Sequence, residues 1–401
     1  MNESTPASGT SGARQQHAGA GTLLFTLGFL AFWANGDNYA AAPLLVSIAN
    51  DLNLEISRAA LSVTSYMMTF GVFTLLFGPL GDRFGRGRII KTAAFGTAIF
   101  SVLGGFAFNF PSLMIFRGFN GVFAAGIFPV TMALIGESFS DEKRQGAIAQ
   151  VMGMMFLGGA SATAIGGVIA HYGSWRGVYI LYGVAELILA IVVLRIVPSG
   201  SRSEHRGSVF GAYATALKAP GLAAMVGTIF FVGFAVFGSF SYAGHYVQSI
   251  TGLPLILVGL VVTAFGLGSV AASRVIPRLR PRLGAAFLPV AGMVGSLSLT
   301  ALVFAREPVL MVLGFFGFGM AFVALQSTLI MGAQSKVPQL RGTAMSLASF
   351  GMFVGGATGA AVNGMINDAF GPALIYAPAA LFVLVAAFAT RKLTRMKPAA
   401  A

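Results

Sequence analysis

The sequence contains no cysteine, and charged side chains make up only 9% of its 401 residues. Soluble domains carry roughly 25% charged residues, so the composition excludes a soluble globular enzyme. Without cysteine the chain forms neither disulfides nor thiolate metal sites. The four histidines are too scattered along the chain to form a ligand set: His17, His171, His205 and His245. Neither a metal nor any other cofactor is therefore expected.

Sequence motifs for nucleotide-driven or hydrolytic chemistry are also missing. There is no Gly-x-x-x-x-Gly-Lys-Ser/Thr phosphate loop and no loop long enough for a nucleotide-binding domain, which excludes a self-contained ATP-driven pump. Neither a His-Glu-x-x-His helix nor a Gly-x-Ser-x-Gly elbow occurs. The protein is therefore not expected to be an enzyme, although an intramembrane enzyme and a transport-inactive sensor or assembly subunit remain as alternatives from other classes.

Long apolar stretches dominate the sequence, in which 56% of the residues are hydrophobic. About 20 apolar residues in a helix cross a bilayer, and twelve such stretches are present. They predict an all-α membrane protein with twelve transmembrane helices, at approximately residues 22–47, 57–80, 89–108, 111–136, 145–170, 177–197, 221–248, 253–273, 284–304, 308–334, 342–366 and 372–390.

The distribution of Lys and Arg predicts the orientation of these spans. The chain has 25 basic and 12 acidic residues. If the N-terminus is inside, 21 basic residues fall on the cytoplasmic side and three outside, with Arg117 alone inside a span. Because basic loops resist translocation, both termini are expected in the cytoplasm of a multi-pass protein of the bacterial inner-membrane type. The net charge of +13 is thus explained by the membrane topology, and no nucleic-acid partner is expected.

An internal repeat at an offset of 197 residues divides the chain into two halves. Residues 155–161 match residues 352–358, and the same offset pairs Arg144 with Arg341. Six spans separate the copies, so two pseudo-symmetric six-helix halves of the same orientation are predicted, with a site between them at the midplane. The predicted division is a disordered cytoplasmic tail at 1–20, halves at 21–197 and 221–391, a cytoplasmic central loop at 198–220 and a cytoplasmic tail at 392–401.

The connection after the second span, residues 78–88, carries a motif. It contains Gly78, Asp82, Arg83, Gly85 and Arg86, in which Gly85 permits a tight turn and Asp82 is an anion placed to meet a helix N-terminus. Here the chain resembles the major facilitator superfamily, whose first-half signature has a Gly, an Asp-Arg pair and a Gly-Arg pair in this loop. The resemblance extends over the whole chain, and it implies the twelve-helix fold and secondary transport.

The resemblance also implies a latch that closes the cytoplasmic side. Asp82 is expected to face the start of the eleventh span near Arg341 and Gly342, and Arg83 or Arg86 is expected to meet Glu137. Arg144 and Gly78 belong to the same set. The alternative is that these charges only cap helices and follow the positive-inside rule. In the second half Leu279 replaces the aspartate, so only the first-half latch is expected to be complete.

Three charged residues inside spans are the candidates for proton coupling: Asp37, Arg117 and Glu186. The alternatives are that Asp37 only pairs with Arg117 and that Glu186 only forms a structural hydrogen bond. Counted from the outer ends of their spans they lie ~15, ~9 and ~14 Å deep, so Arg117 has two candidate partners. Asp37, with Tyr39 and Pro43, resembles the first-span motif of the twelve-span drug:proton antiporters of the bicyclomycin and chloramphenicol exporter type. The fifth span departs from the antiporter pattern, because Ala162-Thr163 replaces its Gly-Pro step.

Aromatic residues on the spans that line the cavity in this superfamily suggest the substrate. Few cavity arginines and many rings favour proton-coupled export of lipophilic neutral or cationic compounds, of the multidrug type. Export of a metabolite, sugar or siderophore, and uptake by proton symport, remain alternatives. The expected partners are a small-molecule substrate, protons and membrane lipid, for a monomer. The candidate cavity residues are Tyr39, Asn120, Phe230, Phe234, Phe237, Tyr242, Phe318, Phe322 and Gln326.

Overall fold

The computed structural model describes residues 9–139, 141–198 and 209–395, and the side chains of these residues except 9–20, 82, 136–137, 141–146, 149, 209–210 and 394–395. All regular structure in them is helical. Sixteen α-helices follow in order: α1 Gly9–Ala40, α2 Leu45–Leu52, α3 Ile56–Phe84, α4 Arg86–Gly105, α5 Phe110–Ala124, α6 Phe128–Ser138, α7 Asp141–Tyr172, α8 Trp175–Ile196, α9 Val209–Leu217, α10 Leu222–Phe240, α11 Ala243–Thr251, α12 Leu255–Leu283, α13 Phe287–Phe304, α14 Pro308–Lys336, α15 Arg341–Phe370 and α16 Tyr376–Arg395.

The helices coincide closely with the apolar stretches of the sequence. Among the described residues, nine segments are long and apolar enough to cross a bilayer, and the segment Leu255–Phe304 contains both α12 and α13. The all-helical membrane fold is thus confirmed, whereas twelve spans and internal termini stay predictions. Helix α1 begins at Gly9, within the segment expected to be a tail, and α9 lies in the expected central loop.

Three of the predicted spans are not single helices. The first is interrupted between α1 and α2 by a short 3-10 helix containing Pro43, and the fourth between α5 and α6, where Pro129 lies in the first turn of α6. Proline lacks the N–H that a continuous helix needs. The seventh breaks after Phe240 without a proline, and there the hydroxyls of Ser239 and Ser241 donate to the carbonyls of Ala235 and Phe237.

The two halves repeat one arrangement of helices. In the first half α1 packs on α7, α3 on α5 and α4 on α8; in the second, α10 packs on α15, α12 on α14 and α13 on α16. The halves meet through two further pairs, α3 with α15 and α7 with α12. Helices α3 and α12 hold equivalent positions in the two halves, and so do α7 and α15. The two contacts between the halves are therefore equivalent, which agrees with the internal repeat in the sequence.

Close packing marks both contacts between the halves. On one side the rings of Phe70 and Phe353 stack with centroids 3.9 Å apart. On the other, the hydroxyls of Thr163 and Thr263 lie 2.9 Å apart, and a Cβ added to Gly167 would lie 2.6 Å from the carbonyl oxygen of Leu255. Side chains larger than hydrogen would therefore separate α7 from α12 at this level.

Candidate functional site

A buried ion pair joins the first and fifth helices of the first half. Arg117 Nη1 donates to Asp37 Oδ1 at 3.0 Å, and both side chains are at most 2% exposed. The sequence left two carboxylates open as partners for Arg117, and the structure pairs it with Asp37. A buried pair of this kind is costly to break, because removing one partner leaves the other charge without compensation.

Two tyrosine rings enclose the guanidinium group of Arg117. Its Cζ lies 4.6 Å from the ring centroid of Tyr66 on α3 and 4.9 Å from that of Tyr179 on α8. Desolvated cation–π contacts of this kind stabilise the charged guanidinium. Nε and Nη2 of Arg117 form no hydrogen bond within the part of the chain that the structure describes. The arginine thus keeps donors available to a mobile water or to a second carboxylate.

Glu186 is the second carboxyl group of this cluster, on α8. Its side chain is fully buried, and neither carboxyl oxygen forms a hydrogen bond among the described residues. The neighbouring hydroxyl of Thr97 donates instead to the carbonyls of Ala93 and Ala94. Asp37 Oδ2 is likewise without a hydrogen bond in these residues. The buried charge cluster, which we define as Asp37, Arg117 and Glu186, therefore contains two carboxyl groups and one cation.

Close packing of α1 against α8 holds the buried charge cluster together. A Cβ added to Gly36 would lie 2.7 Å from the ring of Tyr182, so glycine is required beside the aspartate. Trp33 packs edge-on against the same ring, with centroids 5.3 Å apart. Asn120 lies next to the cluster, where its Nδ2 donates to the carbonyl of Thr97 at 3.0 Å. Asn120 thus supports the first half internally.

An aromatic cluster lies between the two halves. The ring centroid of Tyr39 is 6.1 Å from that of Phe237, 5.4 Å from Phe240 and 6.1 Å from Phe265. Phe322 joins the cluster at 5.6 Å from Phe237. Four of the candidate cavity residues are brought together here, Phe318 being the fourth through its contact with Phe265 at 5.2 Å. The cluster draws on α1, α10, α12 and α14, and so joins the halves.

A small cavity adjoins this cluster, with a volume of about 10 Å³. That is about the space that one water molecule occupies, so this cavity as it stands is too small for an organic substrate. Asn38, Tyr39 and Ser241 contribute polar side chains, and the rest of the lining is apolar. Asn38 Oδ1 is buried without a hydrogen bond among the described residues. The full lining consists of Asn38, Tyr39, Ala41, Ala42, Val63, Met67, Phe237, Phe240 and Ser241.

The other candidate cavity residues lie elsewhere. The ring of Phe234 packs against Phe382 of α16, with centroids 5.4 Å apart, and Phe230 packs edge-on against its neighbour Phe231. The hydroxyl of Tyr242 donates to the carbonyl of Ala360. Gln326 is half-buried, one turn beyond Phe322 on α14. Among the candidates, these four and Asn120 do not meet in the aromatic cluster.

Several site residues had not been singled out from the sequence. Tyr66, Tyr179 and Tyr182 surround the buried charge cluster, and Asn38 and Ser241 line the cavity. A tyrosine or asparagine within an otherwise apolar span was the available signal, because buried hydroxyl and amide groups need partners. The sequence does not show how each helix is rotated about its axis, and this rotation directs these groups toward Arg117 or toward the cavity.

The structure describes only part of the expected latch. The side chains of Asp82, Glu137 and Arg144 lie outside the described residues. Arg86 Nη1 donates to the carbonyl of Ala133 at 2.6 Å, one turn before Glu137. Arg86 thus reaches the end of α6, where the resemblance placed its partner.

The remaining latch residues lie at the ends of α3 and α15. A Cβ on Gly78 would lie 3.2 Å from the hydroxyl oxygen of Ser346, so the end of α3 meets the first turns of α15. Gly85 has a φ of 95°, which favours glycine. Arg83 is exposed, with its Cζ 5.4 Å from the ring of Phe84, and Arg341 is exposed at the start of α15. The helix ends are thus adjacent, as closure requires.

Comparison with known proteins gives a family match and several relatives. Residues 24–359 match the Major Facilitator Superfamily. Over 62% of each chain, the sequence is 28% identical to the puromycin resistance protein pur8 of Streptomyces alboniger. It is 26% identical to the uncharacterized MFS-type transporter YceJ of Bacillus subtilis (strain 168), over 82% of this chain and 85% of the relative. A match to the multidrug efflux pump LfrA of Mycolicibacterium smegmatis is 31% identical over 43% of this chain and 34% of the pump.

Solved structures with the same fold include a bacterial homologue of the human lysosomal transporter Spinster. The inward-facing, unoccupied form superposes with a TM-score of 0.74, at 17% sequence identity, over 94% of this chain and 97% of that one. The likeness shows the fold of the chain. The curated relative pur8 is matched over about three-fifths of its own length.

Proposed function

Because the chain belongs to the major facilitator superfamily, it is a membrane transporter, and we propose that it exports lipophilic neutral or cationic compounds in exchange for protons. The buried charge cluster of Asp37, Arg117 and Glu186 carries this proposal. In our interpretation twelve spans with both termini in the cytoplasm form two halves, which rock about the aromatic cluster so that access alternates between the two sides.

The charge count of the cluster supports proton coupling. With both carboxyl groups ionised, the buried charge cluster would have a net charge of −1, because Arg117 is always protonated. An uncompensated buried charge is costly, so a closed state without substrate binds one proton and becomes neutral. When either side opens to water, hydration lowers the cost of the charged form and the proton leaves. The proton thus binds and dissociates with the conformational change.

Helix α1 offers a path from proton binding to the substrate cavity. Asp37 contacts Arg117 within the first half, whereas the next residues, Asn38 and Tyr39, line the cavity between the halves. A change in the ion pair therefore acts on a helix that also contacts the substrate. Such coupling through one element is what exchange transport requires, because each ligand must change the free energy of the same conformational step.

The lining of the cavity indicates the substrate class. Rings of Tyr39, Phe237 and Phe240 and the amide of Asn38 face it, without a charged side chain. Aromatic faces favour apolar rings and cations, whereas an anion would need donors with positive charge. The names of the relatives pur8 and LfrA, puromycin resistance and multidrug efflux, agree with export. Export of a metabolite, sugar or siderophore and proton symport are the alternatives.

The experiment that tests the proposal uses purified protein in liposomes containing a pH-sensitive dye. We expect an imposed proton gradient to drive uptake of ethidium or puromycin, but not of a sugar or an organic acid, with matching dye signals. Asp37→Asn and Glu186→Gln should each abolish the proton flux, because a cluster with one carboxylate is neutral without binding a proton.

Asp51→Asn is the matched control, because Asp51 forms an ion pair with Arg176 that is partly exposed and outside the cluster. This variant should keep the coupled flux. Full proton exchange in both cluster variants would refute the assignment of the proton site. Proton-coupled transport of a sugar or an anion by the wild-type protein would refute the proposed substrate class.

A further inference from the structure

Helix α3 contains a proline near the end that leads into the expected latch. Pro79 lies inside the last two turns of the helix, which ends at Phe84. Proline has no N–H, so the carbonyl of Leu75, four residues earlier, loses the donor that a regular helix supplies. Within a membrane such a carbonyl is satisfied by groups of neighbouring helices. A donor from outside α3 therefore has a large effect at Leu75.

That donor comes from the short helix between the two halves. The hydroxyl of Tyr213 on α9 donates to the carbonyl oxygen of Leu75 at 2.7 Å, and the two residues are 138 positions apart in the sequence. Helix α3 belongs to the first half, whereas α9 lies in the segment that was predicted to be the central loop. The hydrogen bond thus connects the central segment to the carbonyl that Pro79 leaves without its helical donor.

The rest of α9 is attached to the second half. Ala216 follows Tyr213 by three residues, on the same helix face, and is fully buried in an apolar cluster. The other buried members belong to α10, α14 and α15: Leu222, Met225, Ala333 and Leu347. Among the described residues of this cluster, Leu75 alone belongs to the first half. Because only residues 218–221 join α9 to α10, we expect α9 to move with the second half.

The same end of α3 lies at a contact between the halves. A Cβ added to Gly78 would lie 3.2 Å from the hydroxyl oxygen of Ser346 on α15. When the halves separate at this end, α3 moves away from α15 and from α9, so the hydrogen bond between Tyr213 and Leu75 breaks. A carbonyl without a donor costs free energy. The hydrogen bond therefore stabilises the form in which this end is closed.

We propose that Tyr213 locks this end of the transporter, which is expected to be cytoplasmic, in its closed form. The lock, which we call the Tyr213 lock, consists of the Tyr213 hydroxyl and the Leu75 carbonyl, and it depends on Pro79 because that residue removes the helical donor. Helix α9 thus sets the balance between the closed and the open form. The inference rests on the rocking of the halves in the proposed function, but not on the proton site or the substrate class.

Labelling of a single cysteine measures how often this end opens. Ser346 is 2% exposed, so Ser346→Cys in lipid nanodiscs reacts with a water-soluble maleimide only when α3 and α15 separate. We expect Tyr213→Phe, which keeps the ring, to raise the labelling rate about fivefold, the factor that corresponds to about 1 kcal/mol. Tyr172→Phe is the matched control, because Tyr172 is 78% exposed at the end of α7, and it should leave the rate unchanged.

Pro79→Ala tests whether the hydroxyl acts through the carbonyl. The alanine supplies the N–H that α3 lacks at this position, so the carbonyl of Leu75 no longer depends on Tyr213. Adding Tyr213→Phe to Pro79→Ala should therefore change the labelling rate by less than about twofold. An equal increase in both backgrounds would overturn the role of the carbonyl. An unchanged rate in Tyr213→Phe alone would overturn the Tyr213 lock.

The same labelling separates a failure of the lock from a failure of the proposed function. If Ser346→Cys is never labelled in the otherwise unchanged chain, the halves do not separate here, which overturns the rocking and the lock together. A rate that rises in Tyr213→Phe supports the lock even if none of the proposed substrates is transported. Thermal unfolding shows whether each variant is folded, and Pro79→Leu, which also restores the N–H, replaces Pro79→Ala if that variant is not.

Discussion

Removing both carboxyl groups of the buried charge cluster should lower the free energy of unfolding far more than removing either one. With Asp37→Asn, the charged form of Glu186 is expected to compensate Arg117; with Glu186→Gln, Asp37 keeps its ion pair with Arg117. The double variant Asp37→Asn/Glu186→Gln leaves the guanidinium without a carboxylate. The two substitutions are therefore expected to be strongly non-additive, although each single variant folds.

The size of the effect follows from the burial of the arginine. Arg117 has no exposed surface, and leaving a buried charge without its partner costs about 3–5 kcal/mol. Loss of one hydrogen bond in a single variant costs about 1 kcal/mol. The interaction energy between the two substitutions is thus about 2–4 kcal/mol, which changes the unfolding equilibrium roughly 30- to 700-fold. The tyrosine rings beside Arg117 persist in every variant and do not alter this difference.

Equilibrium unfolding in mixed micelles of SDS and a mild detergent measures this energy, with the fluorescence of Trp33, which packs on Tyr182 beside the cluster, as the signal. The four proteins of the cycle are compared at one pH. A second cycle, Asp51→Asn with Glu186→Gln, is the control and should be additive, because Asp51 pairs with Arg176 outside the cluster. Additive losses in the first cycle would refute the view that the two carboxyl groups share one compensating role.

Two further predictions concern closure and use single cysteines in this cysteine-free chain. Asp82→Asn should weaken the expected cytoplasmic latch by about 1 kcal/mol and so raise labelling of Ser346→Cys several-fold; equal labelling with and without the substitution would count against the latch. Gly167→Val should separate α7 from α12 at a cost of about 1–3 kcal/mol and expose Thr263→Cys to labelling. Gly153→Val, on the same helix but with nothing within 4 Å of its Cβ, should leave that labelling unchanged.

The helices could be predicted from the sequence because the length of an apolar stretch is a one-dimensional property. Stretches of about 20 apolar residues were sufficient to find α3, α8 and α14 nearly to their ends. Proline marked the breaks at Pro43 and Pro129, although the spans were predicted as continuous. At the break after Phe240, serine hydroxyls donate to helix carbonyls. A serine inside a span does not by itself indicate that the helix breaks there.

The site was harder to predict because it depends on helix rotation and crossing. The estimated depth of Arg117 in the membrane was compatible with either Asp37 or Glu186 as its partner. Only the way in which α1 and α5 face each other identifies Asp37 as the partner. Phe234 and Phe237 lie near one another on α10, yet the ring of Phe234 packs on α16 and that of Phe237 on the aromatic cluster. Helices cross at an angle, so the neighbour that faces one side of a helix changes along its length. Spacing alone does not contain that information.

The position of the buried charge cluster in one half has an expected consequence for the response of the transporter to membrane voltage. Asp37, Arg117 and Glu186 all lie in the first half, on α1, α5 and α8, so the electric field acts on the charge of the cluster through that half. Under the proposed proton coupling, the cluster with its proton is neutral and its reorientation is expected to be insensitive to voltage. Without the proton it carries −1, which amounts to about 2.3 kcal/mol per 100 mV across the full field. In the proposed exchange, the potential is therefore expected to bias the step that carries a neutral substrate without the proton, and not the return of the protonated transporter.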